Sequence, residues 1–149
     1  MNITINTDAS FNAEKNTGGY AFWISSNAGT FKKYGGLKHC KCCTEAEIKA
    51  IANALYYMEY NKDLWGISKI FINTDSKNAI RMIGTPNIPR HKRFKNALKK
   101  IRETLKKYPN ELRWVKAHSG IEDSRSYVNR YCDKYAKLGR KNLEAENRA

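Results

Sequence analysis

Ile3-Thr4-Ile5-Asn6-Thr7-Asp8 and Lys69-Ile70-Phe71-Ile72-Asn73-Thr74-Asp75 are two strand-like apolar runs, and each closes on an aspartate. Apolar residues repeating with period two bury one face of an extended chain. If the two strands are neighbours, their C-terminal ends bring Asp8 and Asp75 to one place. Everything between and after them reads as an α/β alternation, without repeats or low-complexity linkers.

Working outward, residues 2–8 form the first strand and Asn16-Thr17-Gly18-Gly19 a turn. Tyr20–Ile24 and Thr30–Tyr34 follow as strands, so the first three should form an antiparallel meander. A helix over about 45–60 places Ile48, Ile51, Ala52, Leu55 and Met58 on one face, with Thr44 as its N-cap. A strand over 67–74, a helix over 76–83, a helix over about 92–107, a strand over 111–116 and a helix over 124–138 complete the chain, with Pro86 and Pro89 separating the middle helices. Hairpins followed by crossovers predict a five-stranded mixed sheet flanked by helices. At 149 residues, one domain spanning 1–149 is the economical expectation.

With 28 Lys+Arg against 14 Asp+Glu, the formal net charge is +14. Such an excess favours a polyanionic partner, because neutralising phosphates releases counterions. No apolar run approaches the roughly 18–20 residues that span a bilayer, and the N-terminus starts a strand instead of a leader, so a cytoplasmic protein is expected. Three of the four cysteines crowd into His39-Cys40-Lys41-Cys42-Cys43, which suits reduced thiols better than a disulfide framework. That cluster lacks the second ligand pair a tetrahedral zinc site needs. His39 and His91 read as surface residues.

Each carboxylate also has an ordinary reading. Glu47 stands three residues after Thr44, the spacing of a capping box. Asp75, before Ser76, is placed to cap a helix, and Asp133 could be one charge among many on a basic helix. Asp8 runs into Ala9-Ser10-Phe11-Asn12, where there is no helix to cap.

Five motifs in order then carry a resemblance: Thr7-Asp8-Ala9-Ser10 with Gly18-Gly19-Tyr20-Ala21; Thr44-Glu45-Ala46-Glu47-Ile48-Lys49-Ala50 with Ala54-Leu55; Asn73-Thr74-Asp75-Ser76; Trp114-Val115-Lys116-Ala117-His118-Ser119-Gly120; and Asn129-Arg130-Tyr131-Cys132-Asp133. In this order they resemble the type 1 ribonuclease H family over nearly the whole chain. The resemblance implies a ribonuclease H-like fold and hydrolysis of the RNA strand of RNA–DNA hybrids with two Mg²⁺ ions, Mn²⁺ being a possible substitute. It implies Asp8, Glu47, Asp75 and Asp133 as metal-binding carboxylates and His118 as a mobile-loop histidine. Ser10, Asn16, Thr44, Ser76 and Asn129 fall at substrate-contacting positions, and no obligate protein partner is implied, so a monomer is expected.

The chemistry supports these residue types. Phosphodiester hydrolysis needs an activated water, charge relief at the transition state and stabilisation of the departing 3′ oxygen, and two hard cations about 3.5–4 Å apart supply all three. Magnesium takes oxygen ligands, so carboxylates suit it. A histidine with pKa near 6.5 suits proton transfer, and His118 stands between a strand and Gly120.

The chain also departs from the family pattern. Ala9 replaces a common glycine, Cys43-Thr44 replaces a common pair of asparagines, and Ser119–Val128 makes a longer loop. The Trp-bearing basic protrusion of some members is absent, and Trp23, Trp65 and Trp114 read as core residues. On the 92–107 helix, Phe94, Leu98, Ile101 and Leu105 form an apolar stripe, and Lys92, Lys95, Lys99, Arg102 and Lys106 an exposed basic one suited to phosphates. Two other readings stay open: a non-cleaving hybrid- or double-stranded-RNA-binding module, and a DNA-cutting recombinase or resolvase core on the same fold.

Overall fold

The computed structural model describes residues 1–85, 94–115 and 124–148. Five strands, β1 (Asn2–Asn12), β2 (Thr17–Ser26), β3 (Gly29–Leu37), β4 (Lys69–Thr74) and β5 (Asn110–Trp114), lie in one sheet of order β3-β2-β1-β4-β5. The β1–β2 and β2–β3 pairs are antiparallel, and β4 and β5 add in parallel. The expected mixed sheet is therefore present. Helices α1 (Cys43–Tyr60), α2 (Lys62–Trp65), α3 (Lys77–Gly84), α4 (Lys95–Lys107) and α5 (Ser124–Arg148) complete the described chain.

Strand alternation divides the helices between two faces. Ile3, Ile5, Phe22, Ile24, Ile70 and Ile72 are buried on one face and share a core with Ile48, Ile51, Leu55 and Met58 of α1 and Leu98 and Ile101 of α4. This is the face predicted for both helices. On the other face Ala21 is buried against Cys132 and Ala136 of α5.

Several boundaries differ from expectation: β1 runs to Asn12 instead of 8, β3 runs to Leu37 instead of Tyr34, and the short α2 lies outside the expected elements. Two further differences are explained by glycine. Gly18 and Gly19 are not in the turn; they belong to β2, and the turn before it closes at Asn16, whose φ is 51°. A Cβ on Gly19 would come within 2.0 Å of the Ala136 carbonyl oxygen. Likewise α5 runs to Arg148 instead of stopping at 138, because Gly139 lies inside the helix, where a Cβ would meet the Gly35 carbonyl oxygen at 2.3 Å. These glycines let the helix press backbone to backbone on β2 and β3, a packing role that resembles a turn or terminator signal in sequence.

The far end of α5 is tied down by polar contacts. Glu144, almost fully buried, accepts hydrogen bonds from Asn12 Nδ2 (3.0 Å), Thr17 Oγ1 (2.8 Å) and Arg140 Nη1 (2.8 Å). Burial pushes its pKa up, but these hydrogen bonds and the Arg140 charge outweigh it and bring it down to about 2. Arg140 Nε also donates to Ser10 Oγ at 2.9 Å.

Two predictions follow from the α5 packing. Gly139→Ala should cost about 3 kcal/mol or more in urea unfolding, since neither backbone can yield, and a loss under about 1 kcal/mol would refute the close approach. Because Glu144 has a depressed folded-state pKa, its contribution is full above its unfolded value near 4.5 and fades as pH falls toward 2. Glu144→Gln should thus cost about 1–3 kcal/mol at pH 7, with the gap to the parent closing between pH 4.5 and 2.

Candidate metal centre

The β1–β4 ladder sets the site. It runs from Asn2 opposite Lys69 to Asn6 opposite Asn73 and stops there, although β1 continues beside β2 as far as Asn12. Two residues beyond that last pair, on the same face by strand alternation, stand Asp8 and Asp75. Asp8 is therefore inside β1, at the level where its β4 neighbour has ended, and not at a strand end. A polar chain lies one step behind: Asn73 Nδ2 donates to Asn6 Oδ1 at 3.0 Å, and Arg113 Nε donates to Asn73 Oδ1 at 2.9 Å. It links β1, β4 and β5 at the pairs Asn6–Asn73 and Asn73–Arg113.

Glu47 comes from α1, and the structure separates it from the cap. The N-cap is Cys42, not Thr44: its Sγ accepts from Glu45 N at 3.4 Å, and Glu45 Oε1 accepts from Lys41 N at 3.2 Å. A capping arrangement lies two residues earlier than expected, with Glu45 accepting from the backbone N–H just before the cap and also paired to Lys49 Nζ at 2.7 Å. Thr44 sits within the first turn, and Glu47 is left for the site. Ser76 in the same way takes the N-cap of α3, accepting from Ala79 N at 3.1 Å, so Asp75 is not the cap. Trp114 Nε1 donates to the Asp75 carbonyl oxygen at 3.1 Å and fixes the backbone there.

Asp8, Glu47 and Asp75 converge: each offers a carboxylate oxygen, and these oxygens lie within 4.8 Å of one another. Burial pushes Asp8 up to about 7, with the Asp75 charge adding to it and the Ala9 N–H, 2.9 Å from Oδ1, opposing. Burial also drives Glu47 well above the usual carboxylate range, reinforced by Asp8 and Asp75. Glu47 Oε2 is fully buried with no hydrogen-bond partner. A buried acceptor without a donor costs about 1–3 kcal/mol, so three mutually repelling carboxylates around one such atom fit a hard divalent cation. The cluster would otherwise have to take up protons.

The fourth carboxylate stands apart. Asp133, on α5, adds to the upward pressure on Asp8 but lies outside the trio and pairs with Lys137 Nζ at 3.2 Å. Asn129 lies one turn earlier on the same flank of α5. Ser10 is held by Arg140, and Asn16 is exposed in the β1–β2 turn. Lys95 and Lys99 are exposed on α4, but Arg102 departs from the predicted stripe. Its guanidinium donates to the carbonyls of Met82 (2.6 Å), Ile83 (3.1 Å) and Thr85 (3.2 Å), satisfying the C-terminal end of α3. His118 and Lys92 lie outside the described residues.

Sequence reasoning passed over several neighbours. Cys132 is buried beside the site, its Sγ 3.6 Å from the Asn6 carbonyl oxygen, and burial with the Asp8 and Glu47 charges pushes its thiol far up. Trp65 is a core residue as expected, but Trp23 is only half-buried and Trp114 is 46% exposed, with Lys77 Nζ 4.3 Å from its ring centroid. Asn6 and Asn73 carried a signal, since both interrupt Ile-rich strands at level positions.

The sign of the Asp8 shift makes a test. A carboxylic acid whose folded-state pKa is raised binds its proton more tightly folded than unfolded, so metal-free stability falls as pH rises from about 4 to about 7. With metal chelated at pH 7.5, Asp8→Asn should raise Tm by about 3 °C or more, and the gain should shrink toward pH 4. A variant less stable than its parent at pH 7.5 would contradict the repulsive cluster.

Comparison with known proteins agrees with the fold. The RNase H family profile matches residues 1–141. No curated protein sequence matches the chain. Among solved structures, the N-terminal RNase H domain of a Mycobacterium tuberculosis protein, determined as a fusion with maltose-binding protein, superimposes with a TM-score of 0.75 at 13% identity, covering 99% of each chain. At that identity the likeness speaks for the fold alone. Since the profile covers all but the last residues of the chain, the protein belongs to the RNase H family.

Proposed function

We propose that this protein is a metal-dependent endonuclease, a single catalytic domain that hydrolyses the RNA strand of RNA–DNA hybrids. The observation that carries the reading is the meeting of Asp8, Glu47 and Asp75 oxygens within 4.8 Å on a chain of net charge +14. An acidic trio repels a polyanion unless cations stand between them, whereas the surrounding basic excess attracts one. Mg²⁺ or Mn²⁺, held by Asp8, Glu47 and Asp75 and approached by Asp133, would activate water and stabilise the charge that develops on the phosphate.

The protein's own groups supply the rest. The parallel register holds Asp8 and Asp75 level, and burial of Glu47 keeps its carboxylate directed into the cluster. Asp133 is countered by Lys137 and stands outside the trio. His118, in the Trp114–Gly120 motif, is assigned proton transfer to the leaving 3′ oxygen. Ser10, Asn16, Thr44, Ser76 and Asn129 are assigned contacts to the hybrid, and Lys95 and Lys99 contacts to its phosphates. Discrimination of RNA from DNA rests on the 2′-hydroxyl. Among the described residues, no helix is long and apolar enough to cross a membrane.

The test is cleavage of labelled RNA–DNA hybrid, RNA duplex and DNA duplex with Mg²⁺, with Mn²⁺ and with chelator. Hybrid RNA should be cut only with metal, and Asp8→Asn, Asp75→Asn and Glu47→Gln should each abolish turnover while the fold persists. A fully active Glu47→Gln would remove Glu47 from the site, and equal cutting of DNA duplex would overturn the substrate. His118→Ala should slow turnover by about a hundredfold.

A second prediction separates the basic residues of α4. Replacing Lys95 and Lys99 with Gln should raise KM and flatten the salt dependence of hybrid binding by about 0.7–0.9 per lost contact, with kcat nearly unchanged. Arg102→Gln should instead lower stability by about 1–3 kcal/mol, because it leaves the α3 carbonyls without donors. A normal Tm for Arg102→Gln would return that residue to the phosphate-binding stripe.

A further inference from the structure

The two flanks of α5 carry different chemistry. At 100° per residue, Asn129 and Asp133 fall on the flank toward the carboxylates, and Tyr127, Tyr131, Lys134 and Tyr135 on the other, over β2 and β3. There the rings of Tyr127 and Tyr131 stand edge-on to Trp23, with centroids 5.7 and 5.1 Å away. Tyr135 continues the row, 4.4 Å from Tyr131 and 4.9 Å from Tyr34 of β3. Tyr127 is 56% exposed and Tyr34 36% exposed, so the row ends in open aromatic surface.

Cations are laid on these rings. Lys32 Nζ lies 4.8 Å from the Trp23 centroid and 5.1 Å from that of Tyr131, and Lys134 Nζ lies 5.5 Å from Tyr135. Lys141 follows Lys134 two turns along the same flank, and among the described residues no Asp or Glu lies on it between Tyr127 and Lys141. Packing α5 on the sheet accounts for the buried parts of Trp23 and Tyr131. It does not require the exposed Tyr127 and Tyr34, nor cations that have no acidic counterpart among the described residues.

We propose that this flank is a second nucleic-acid site, a stacking platform for the bases of a single strand that is bound but not cut. Aromatic faces interleaved with lysines suit such a strand, since every base has a π-face and every linkage a phosphate. A base seated on Tyr127 or Tyr34 takes its stacking energy from the ring, while Lys32 and Lys134 meet the phosphates. The body of α5 separates this strand from Asp8, Glu47 and Asp75. The site therefore works as an anchor and does not depend on the nuclease reading.

The probe is a labelled oligodeoxythymidylate of about a dozen nucleotides, titrated into the full chain with chelator present. Replacing Tyr34 and Tyr127 together with Ala should raise its Kd by about five- to a hundredfold for each base stacked, and the matching Phe variant should bind as the parent does. Kd for a hybrid should stay within about twofold of the parent value in both variants. An unchanged oligonucleotide Kd in the Ala variant overturns the proposal, as does equal weakening of hybrid binding, which would merge the flank with the main groove. Dimers of the parent that the Ala variant loses, with its oligonucleotide Kd unmoved, would assign the flank to a second copy. If the Ala variant does not fold, Lys32→Gln with Lys134→Gln decides: the salt slope should fall by about 0.7 per lost contact, and an unchanged slope overturns the site.

Discussion

The register of β1 against β4 is the constraint on which the site depends. Asn6 opposite Asn73 leaves Asp8 and Asp75 level with each other, one alternation further on. A slip of one residue would turn one carboxylate to the Ile face, where α1 and α4 have closed the core. Two independent features hold the register. The Ile3, Ile5, Ile70 and Ile72 side chains fit only one face, and the Asn6–Asn73–Arg113 hydrogen bonds form only when the three strands are level. The polar chain is costly to bury unless complete, so it penalises every other register.

On that frame the site concentrates unfavourable charge. Asp8 and Glu47 are held in low-dielectric surroundings beside Asp75, where ionisation is opposed by burial and by one another. The rest of the fold has to outweigh this, and α5, packed on the face that carries Asp8 and Asp75, contributes through the glycine contacts at Gly19 and Gly139 and the Glu144 clamp. The helix also brings Asp133 toward Asp8. Stability and the candidate site are thus linked through one helix, whose close seat on β2 and β3 determines where Asp133 and Asn129 stand.

Much of this was legible in the sequence because strand alternation and carboxylate position are local signals. Ile3–Asp8 and Ile70–Asp75 announced both strands and both clustered carboxylates, and Ile48–Met58 announced the buried face of α1. What was misread depended on tertiary partners. Gly18-Gly19 looked like a turn, but Gly19, like Gly139 within α5, is a contact point that only the folded neighbour reveals. Arg102 matched a basic stripe by spacing, yet the C-terminal carbonyls of α3 claim it. Cys42 took the cap expected of Thr44 because a thiol can accept a hydrogen bond, and Glu45 fits the same three-residue spacing as Glu47. That displacement strengthens the reading, since it leaves Glu47 out of the cap and with one buried oxygen unsatisfied.

The central claim is that Asp8, Glu47 and Asp75 form one divalent-cation site whose carboxylates hold protons when the cation is gone. Calorimetric titration of Mn²⁺ at pH 6, repeated in buffers of different ionisation enthalpy, measures binding and proton release together. The account predicts saturable binding that Asp75→Asn severely weakens, accompanied by release of protons, since Asp8 titrates at about 7 and Glu47 well above its usual range. Binding that persists in Asp75→Asn, or binding to the parent with no proton released at pH 6, would contradict it.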